Sequence, residues 1–254
     1  MKEDKFYIYG RNSVTEALNS DIFIEKIYIQ YNTSGESIFR IQKIANKKKI
    51  PLVQYDKHKF AELAKNVAGE SAITQGVIAL RSVVKYLDLE ELSELAFSQD
   101  KNPVLVLLNE ISDVHNLGAI ARSAECMGAQ GLIIPERNSS PVTPAAVKSS
   151  AGALSYIPVA KTGSVINTLI KLRDLGYWII AADMDGDKNY FDEDFNKPVV
   201  LIIGSEGKGI SPAVQKYCDI KIKIPMNGRI SSLNASVSAG IILFDILRQR
   251  LKNQ

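Results

Sequence analysis

The stretch VVLIIGSEGKGIS, residues 199–211, joins five consecutive apolar residues to a loop that holds three glycines. A short run that is apolar on both faces reads as a strand buried inside a parallel sheet. Ligands of such sheets bind at the carboxyl ends of the strands. The loop Gly204–Ser211 is therefore the first place to look for function. Its glycines let the backbone turn sharply or approach a ligand closely. The spacing is neither G-x-x-x-x-G-K-[ST] nor G-x-G-x-x-G, so neither nucleotide fingerprint applies. Glu206 stands in the middle of the loop as a candidate functional carboxylate, and Lys208 reads as a solvated charge.

Outward from that strand, strands and helices alternate. Strands are expected at Val104–Asn109, Gly131–Ile134, Ser155–Val159, Tyr177–Ala182 and Ile220–Ile224. Helices are expected at Leu117–Met127, within Thr143–Leu154, at Gly163–Leu175 and at Asn234–Leu251. This alternation predicts an α/β domain with a parallel sheet covered on both faces. The N-terminal part reads as smaller mixed α/β. It has a helix opening at Ser13–Leu18 with Ser13 and Glu16 as a capping box, helices at Ser37–Lys48 and Lys57–Ala68, and strands at Ile24–Gln30, Pro51–Tyr55 and Gly76–Leu80. Charge separates the parts. Residues 1–81 carry 13 Lys/Arg against 9 Asp/Glu, residues 82–100 carry 1 against 5, and residues 101–254 carry 17 against 14. The acidic middle stretch is expected to be a linker whose second half is a short amphipathic helix (Leu87, Leu89, Leu92, Leu95).

Composition narrows the chemistry. Across 254 residues, Lys+Arg total 31 and Asp+Glu 28, a mildly basic balance that suits a nucleic-acid partner without demanding one. The two cysteines, Cys126 and Cys218, form no CxxC, so thiolate zinc and a disulfide framework are not expected. A reducing, cytoplasmic setting fits. With only His58 and His115, no multi-histidine metal centre is available. No apolar run approaches the ~18–20 residues of a membrane span, and the first residues do not read as a secretory signal.

Two further loops lie at expected strand ends. NEISDVHNLGAIAR (Asn109–Arg122) places Asn116 at a helix N-cap, with Gly118 behind it and Arg122 on an Ala/Ile face. It reads as a capped helix with a snorkelling arginine. Its small residues (Gly118, Ala119, Ala121, Ser123) also suggest room for a ligand, with Asp113 and Glu125 as partners for Arg122. PMNGRISSLNAS (Pro225–Ser236) crowds Ser231, Ser232, Asn234 and Ser236 at the start of the last helix. One of these suffices for a cap. The cluster offers several neutral donors near a helix N-terminus, which suits a carboxylate or phosphate.

Together the three loops resemble the SpoU/TrmH family of ribose 2′-O-methyltransferases, within the SPOUT class. Asn116, Gly118 and Arg122 match an N-x-G-x-x-x-R block. Gly204, Glu206, Gly207 and Gly209 match G-x-E-G-x-G. Ile224, Pro225, Met226, Ser232, Leu233, Asn234 and Ser236 match I-P-M…S-L-N-x-S. YGRNSVTEAL (Tyr9–Leu18) and TQGVIA (Thr74–Ala79) resemble the ends of a small ribosomal-protein-like (L30e-like) RNA-binding domain, found in a subgroup that methylates a guanosine ribose of 23S ribosomal RNA. Asn12 stands where His is frequent, Val114 where Pro is frequent, and Ala235 where Val is common.

The resemblance implies an RNA substrate-binding domain at 1–81, a linker at 82–100 and a SPOUT domain at 101–254 with a deep trefoil knot. It also implies a homodimer in which both chains contribute to each site, S-adenosylmethionine as cofactor, and no metal or membrane. Arg122 would be the main catalytic residue. A guanidinium is a poor general base, so the expected role is to clamp a phosphate and stabilise a developing alkoxide. Asn116 and Asn234 would orient RNA and Arg122, and Ser232 would place phosphate or cofactor. Glu206 would orient Arg122 or contact RNA. Gly204, Ile224, Met226 and Leu233 would hold the cofactor through backbone groups. Arg11, Asn12, Lys47, Lys48 and Lys49 are the candidate RNA contacts. The alternatives are the same reaction on tRNA or another rRNA nucleotide, or a non-catalytic rRNA-binding assembly factor.

Overall fold

The structure, a computed structural model, describes residues 6–20, 22–48, 50–69, 73–205, 207, 209–230 and 232–252. The chain divides into two compact units, Met1–Lys85 and Tyr86–Gln254. The first contains β1 (Tyr7–Tyr9), α1 (Arg11–Asn19), β2 (Ile24–Gln30), α2 (Glu36–Lys47), β3 (Leu52–Tyr55), α3 (Lys57–Ala68) and β4 (Val77–Arg81). Its sheet has the order β1-β4-β2-β3; β4 runs antiparallel to β1 and β2, and β3 is parallel to β2. The core forms where Val14 and Leu18 of α1 meet Ile38 and Ile41 of α2 over Ile27, Ile29, Val77 and Ala79 of the sheet. On α3, Phe60 and Val67 pack with Ile78, and Asp56 caps the helix by accepting from His58 N and Lys59 N.

The expected Ser13 cap is not formed. Helix α1 starts two residues earlier, and its N-cap is Gly10 at φ +88°. The free amide of Arg11 donates instead to Gln75 Oε1 at 2.8 Å. A side chain 64 residues away does what the capping box was expected to do.

The second unit contains β5 (Tyr86–Leu87), α4 (Leu89–Gln99), β6 (Val104–Leu108), α5 (Val114–Cys126), β7 (Gly131–Pro135), α6 (Pro144–Ser149), β8 (Val159–Thr162), α7 (Val165–Asp174), β9 (Trp178–Ala182), β10 (Lys188–Asn189), β11 (Val199–Ile203), α8 (Pro212–Gln215), β12 (Ile220–Lys223) and α9 (Ala235–Lys252). Its eight strands form one sheet, β10-β12-β9-β11-β6-β7-β8-β5, in which every neighbouring pair is parallel. Strands β6, β7 and β11 are buried along their whole length, as their unbroken apolar sequences require.

Two expectations change here. The strand placed at Ser155–Val159 starts only at Val159, where it pairs with Leu132; Ala153–Ser155 is a single 3-10 turn. The stretch 82–100 is not simply a connector. Tyr86–Leu87 pairs with Val159–Ala160 as the edge of the large sheet, and Leu89, Leu92 and Ala96 of α4 are buried in its core. Gly131 leaves the space that Leu92 fills, since a Cβ there would lie 2.5 Å from Leu92 Cδ1. Leu92→Ala should therefore lower unfolding stability by about 2–5 kcal/mol, the usual cost of emptying a buried leucine site. Urea denaturation measures this, and a loss of a few tenths would mean that α4 is a tether rather than a core element.

Candidate functional site

Strands β9, β11 and β12 are neighbours, and the chain leaving their carboxyl ends encloses a cavity of about 720 Å³. That volume is in the ~300–1,000 Å³ range of small-molecule sites. Three segments form its walls: Ala182–Asp185 at the end of β9, Ile203, Gly204, Ser205, Gly207, Gly209 and Ile210 at the end of β11, and Ile222–Met226 with Ser232 and Leu233 at the end of β12. The first turns of α9 close it with Ala235, Ser238 and Ile242. Gly204, Ile224, Met226, Leu233 and Ser232 are thus brought together in the lining of one cavity.

Gly204 and Gly209 let this loop turn back tightly, whereas a Cβ on Gly207 would meet open space. Ser205 and Gly209 exchange backbone hydrogen bonds, Ser205 N to Gly209 O at 3.2 Å and Gly209 N to Ser205 O at 2.9 Å. A Cβ on Gly204 would stand 2.5 Å from the carbonyl carbon of Gly209, and Gly209 itself has φ +61°. At Ser205 and Gly209 the loop therefore folds back on itself. Glu206 and Lys208 of this loop, Ser231 of the next, and Lys49 lie outside the described residues.

Asn116, Asn234 and Arg122 are outside the cavity lining. Asn116 is not a cap; Asp113 caps α5 by accepting from His115 N, and Asn116 is buried in the first turn. The reason is that α5 begins earlier than the apolar pattern suggests. Asn234 Nδ2 donates to Asn116 Oδ1 at 3.0 Å. Asn234 Oδ1 accepts from Ser236 N at 2.9 Å and Val237 N at 3.4 Å, capping α9. One carboxamide thus starts α9 and ties it to α5.

Arg122 is six residues beyond Asn116 on α5 and is exposed. At ~100° per residue the two side chains leave the helix on different faces. Among the described residues it makes no ion pair with Asp113 or Glu125.

Two of the small residues near Arg122, Gly118 and Ser123, face neighbouring elements. A Cβ on Gly118 would lie 2.5 Å from Ser149 Cβ and 2.8 Å from Ser150 N, so Gly118 lets α6 pack against α5. Ser123 Oγ is 3.6 Å from where a Cβ of Gly240 would be, so this side of α5 faces α9. Their smallness serves helix–helix approach.

In the first unit, Arg11 and Asn12 open α1, and Lys47 and Lys48 are exposed at the end of α2. Arg11 Nε donates to Gln75 O at 3.2 Å. Its guanidinium is 3.1 Å from the Cβ position of Gly35. Asn32 (φ 61°) and Gln75 (φ 53°) take left-handed conformations nearby in the chain, and Tyr31 is exposed. This end of the sheet offers a cation, an amide and an aromatic face.

Sequence reasoning missed Asp183, Met184, Asp185 and Gln215, all of which line the cavity. The first three follow an apolar strand, so the strand-end rule that selected the other loops applied equally to them. Gln215 had no local signal. Cysteine chemistry is not available here. Burial pushes the Cys218 thiol up to about 11, with the neighbouring Asp219 carboxylate adding to the shift. Cys126 is exposed. Among the described residues there is no group of three or more His, Cys, Asp or Glu placed to hold a metal, and no helix long and apolar enough to cross a membrane.

Residues 103–244 match the SpoU rRNA Methylase family, and residues 7–86 match a family described as RNA 2′-O ribose methyltransferase substrate binding. A Bacillus subtilis protein named as a TrmH-family tRNA/rRNA methyltransferase is 36% identical over 250 residues, 98% of each chain. The SpoU methyltransferase AviRb from Streptomyces viridochromogenes, solved with AdoMet, has a TM-score of 0.60 and 25% identity, covering 97% of this chain and 91% of its own. The A. aeolicus TrmH/SpoU tRNA modifying enzyme has a TM-score of 0.56 and 28% identity, covering 65% and 83%.

Two outcomes follow from this geometry. Gly204→Ala forces Gly209 backbone to move and should weaken S-adenosylmethionine binding by roughly tenfold or more, read by calorimetry, because close backbone approach at such a turn tolerates no Cβ. Iodoacetamide at pH 8 should label Cys126 and spare Cys218, whose thiolate fraction would be on the order of one in a thousand. Rapid labelling of Cys218 in the folded protein would mean that its surroundings are not apolar.

Proposed function

The chain belongs to the SpoU methylase family, and from that premise we propose how its residues divide the work of an S-adenosylmethionine-dependent RNA 2′-O-methyltransferase. The observation that carries the reading is the cavity at the ends of β9, β11 and β12, lined by Gly204, Gly207 and Gly209, by apolar side chains such as Ile224, Met226 and Leu233, and by the polar Asp183 and Gln215. When bound there, S-adenosylmethionine supplies a methyl group already activated on a cationic sulfur. Gly204, Ile224, Met226 and Leu233 hold it through backbone groups, and Ser232 adds a hydroxyl at the cavity edge. Asn116 and Asn234 position the site by fixing α5 against α9.

Arg122 stands apart from the cavity of its own chain. We assign it to the cavity of a second copy, where its guanidinium clamps an RNA phosphate and stabilises the developing 2′-alkoxide. Glu206 orients Arg122 or contacts RNA. The dimer that this requires is supported by α9, where Val237 and Phe244 are 48% and 55% exposed, with Ile241 between them on the same stripe. We read the crossing near β12 as a trefoil knot. Asp183 N donates to Ile222 O at 2.9 Å, and Gly186 has its Cβ position 2.4 Å from the Ile222 carbonyl carbon, so two chain segments meet there without a side chain between them.

The first unit is the RNA-binding part in this reading, L30e-like in kind, with Arg11, Asn12, Lys47, Lys48 and Lys49 as contacts. The substrate we assign is a guanosine ribose of 23S ribosomal RNA; the match at 7–86 supports an RNA substrate, and the choice of 23S guanosine rests on the motif resemblance of Tyr9–Leu18 and Thr74–Ala79. Labelled S-adenosylmethionine with RNA from a host strain lacking the enzyme, followed by mapping of 2′-O-methyl positions, should give one 23S guanosine. A methyl on tRNA alone would move the substrate, and cofactor binding without transfer to any RNA or ribosomal particle would favour an assembly role.

Arg122→Lys keeps the charge but not the fork and should lose about 10²–10³ in kcat, the usual range for a group that stabilises an oxyanion. Mixing inactive Arg122→Ala protein with inactive Gly204-substituted protein should restore about a quarter of wild-type activity, because half the dimers then hold one intact shared site. No recovery on mixing would place Arg122 in its own chain's site.

A further inference from the structure

Gln215 is on the short helix α8, beside the cavity rather than on one of the matched motifs. Its Nε2 donates to Asp183 Oδ2 at 2.7 Å and to the Ile210 carbonyl at 2.9 Å. Asp183 is the first residue after β9. Its Oδ1 accepts from Asp185 N at 3.0 Å, and its own N–H donates to Ile222 O at 2.9 Å. The Cβ position of Gly209 is 3.9 Å from Asp183 Oδ2. The carboxylate–carboxamide pair therefore joins the end of β9 to Ile210 in the loop after β11, while the backbone N–H of Asp183 extends the ladder between β9 and β12.

We propose that Asp183 and Gln215 form a latch that sets the width of the S-adenosylmethionine cavity by holding the glycine loop to the end of β9. This rests on the assignment of the cavity to that cofactor. A single amide nitrogen with two hydrogens serves two acceptors here, which a glutamate, with no donor when ionised, cannot do. The carboxylate is the hub because it has acceptor sites for both the Gln215 side chain and the loop amide of Asp185. Neither residue is given contact with the reacting atoms; they act as positioning residues through the loop.

The test uses the full-length protein. Gln215→Glu places a carboxylate against Asp183 and the Ile210 carbonyl, and Gln215→Ala removes both bonds. Each should weaken S-adenosylmethionine binding about tenfold, the effect of leaving such partners unpaired. The KM for S-adenosylmethionine rises accordingly, while kcat at saturating cofactor and the KM for RNA stay near wild type. The exchanged pair Asp183→Asn with Gln215→Glu restores donor to acceptor across the latch and should bind clearly better than Gln215→Glu alone. Circular dichroism melts confirm that each variant is folded. Binding by Gln215→Ala and Gln215→Glu within twofold of wild type would overturn the latch, as would an exchanged pair no better than Gln215→Glu. Wild-type protein that fails to bind S-adenosylmethionine would overturn the cavity assignment itself.

Discussion

The carboxamide of Asn234 is the contact on which the second unit's arrangement turns. Its oxygen caps α9 and its nitrogen reaches Asn116, buried in the first turn of α5. The cap decides where the chain stops being the loop after β12 and becomes a helix. The cross-link decides where that helix lies. Ala235, Ser238 and Ile242 then fall at the cavity wall rather than anywhere else along α9. A cap or a side-chain hydrogen bond is worth on the order of 1 kcal/mol alone. The consequence here is positional: one amide sets where α9 meets the cavity and ties α9 to α5, the helix that carries Arg122.

The other constraint is backbone proximity. Gly204 against Gly209, Gly186 against Ile222 and Gly118 against Ser149–Ser150 are three places where a Cβ would meet atoms at 2.4–2.5 Å. The first closes the loop over the cavity, the second lets chain segments pass at β12, and the third seats α6 on α5. Close backbone approach of this kind fixes main-chain groups in place before any ligand arrives, which keeps reorganisation on binding small. Arg122 lies outside this lining, on an exposed face of α5.

Much of this was legible in the sequence because the relevant signals are local. Strands at Ile24–Gln30 and Val199–Ile203 and the helix at Lys57–Ala68 have the bounds that their patterns predict. The rule that ligands bind at strand ends pointed to two loops that line the cavity. What was not legible depends on distant partners. The start of α1 is settled by Gln75 and the start of α5 by Asp113, so Ser13 and Asn116 lost the capping roles that spacing suggested. Gly118 and Ser123 looked like space for a ligand and face neighbouring helices. Acidic composition suggested a linker at 82–100, yet Leu89, Leu92 and Ala96 pack in the core, because charge reports the exposed face of α4 and says nothing of the buried one. Gln215 shows no pattern at all; only the fold brings it to Asp183.

Hydrogen–deuterium exchange with and without S-adenosylmethionine tests the central claim most directly, since it reads every backbone segment at once. The account predicts slowed exchange in three stretches only: 182–186, 203–211 and 222–238. The segment around Arg122 and the whole of 6–81 should stay unchanged until RNA is added. Protection centred on the first unit, or on α5 around Arg122 with the glycine loop unaffected, would contradict it.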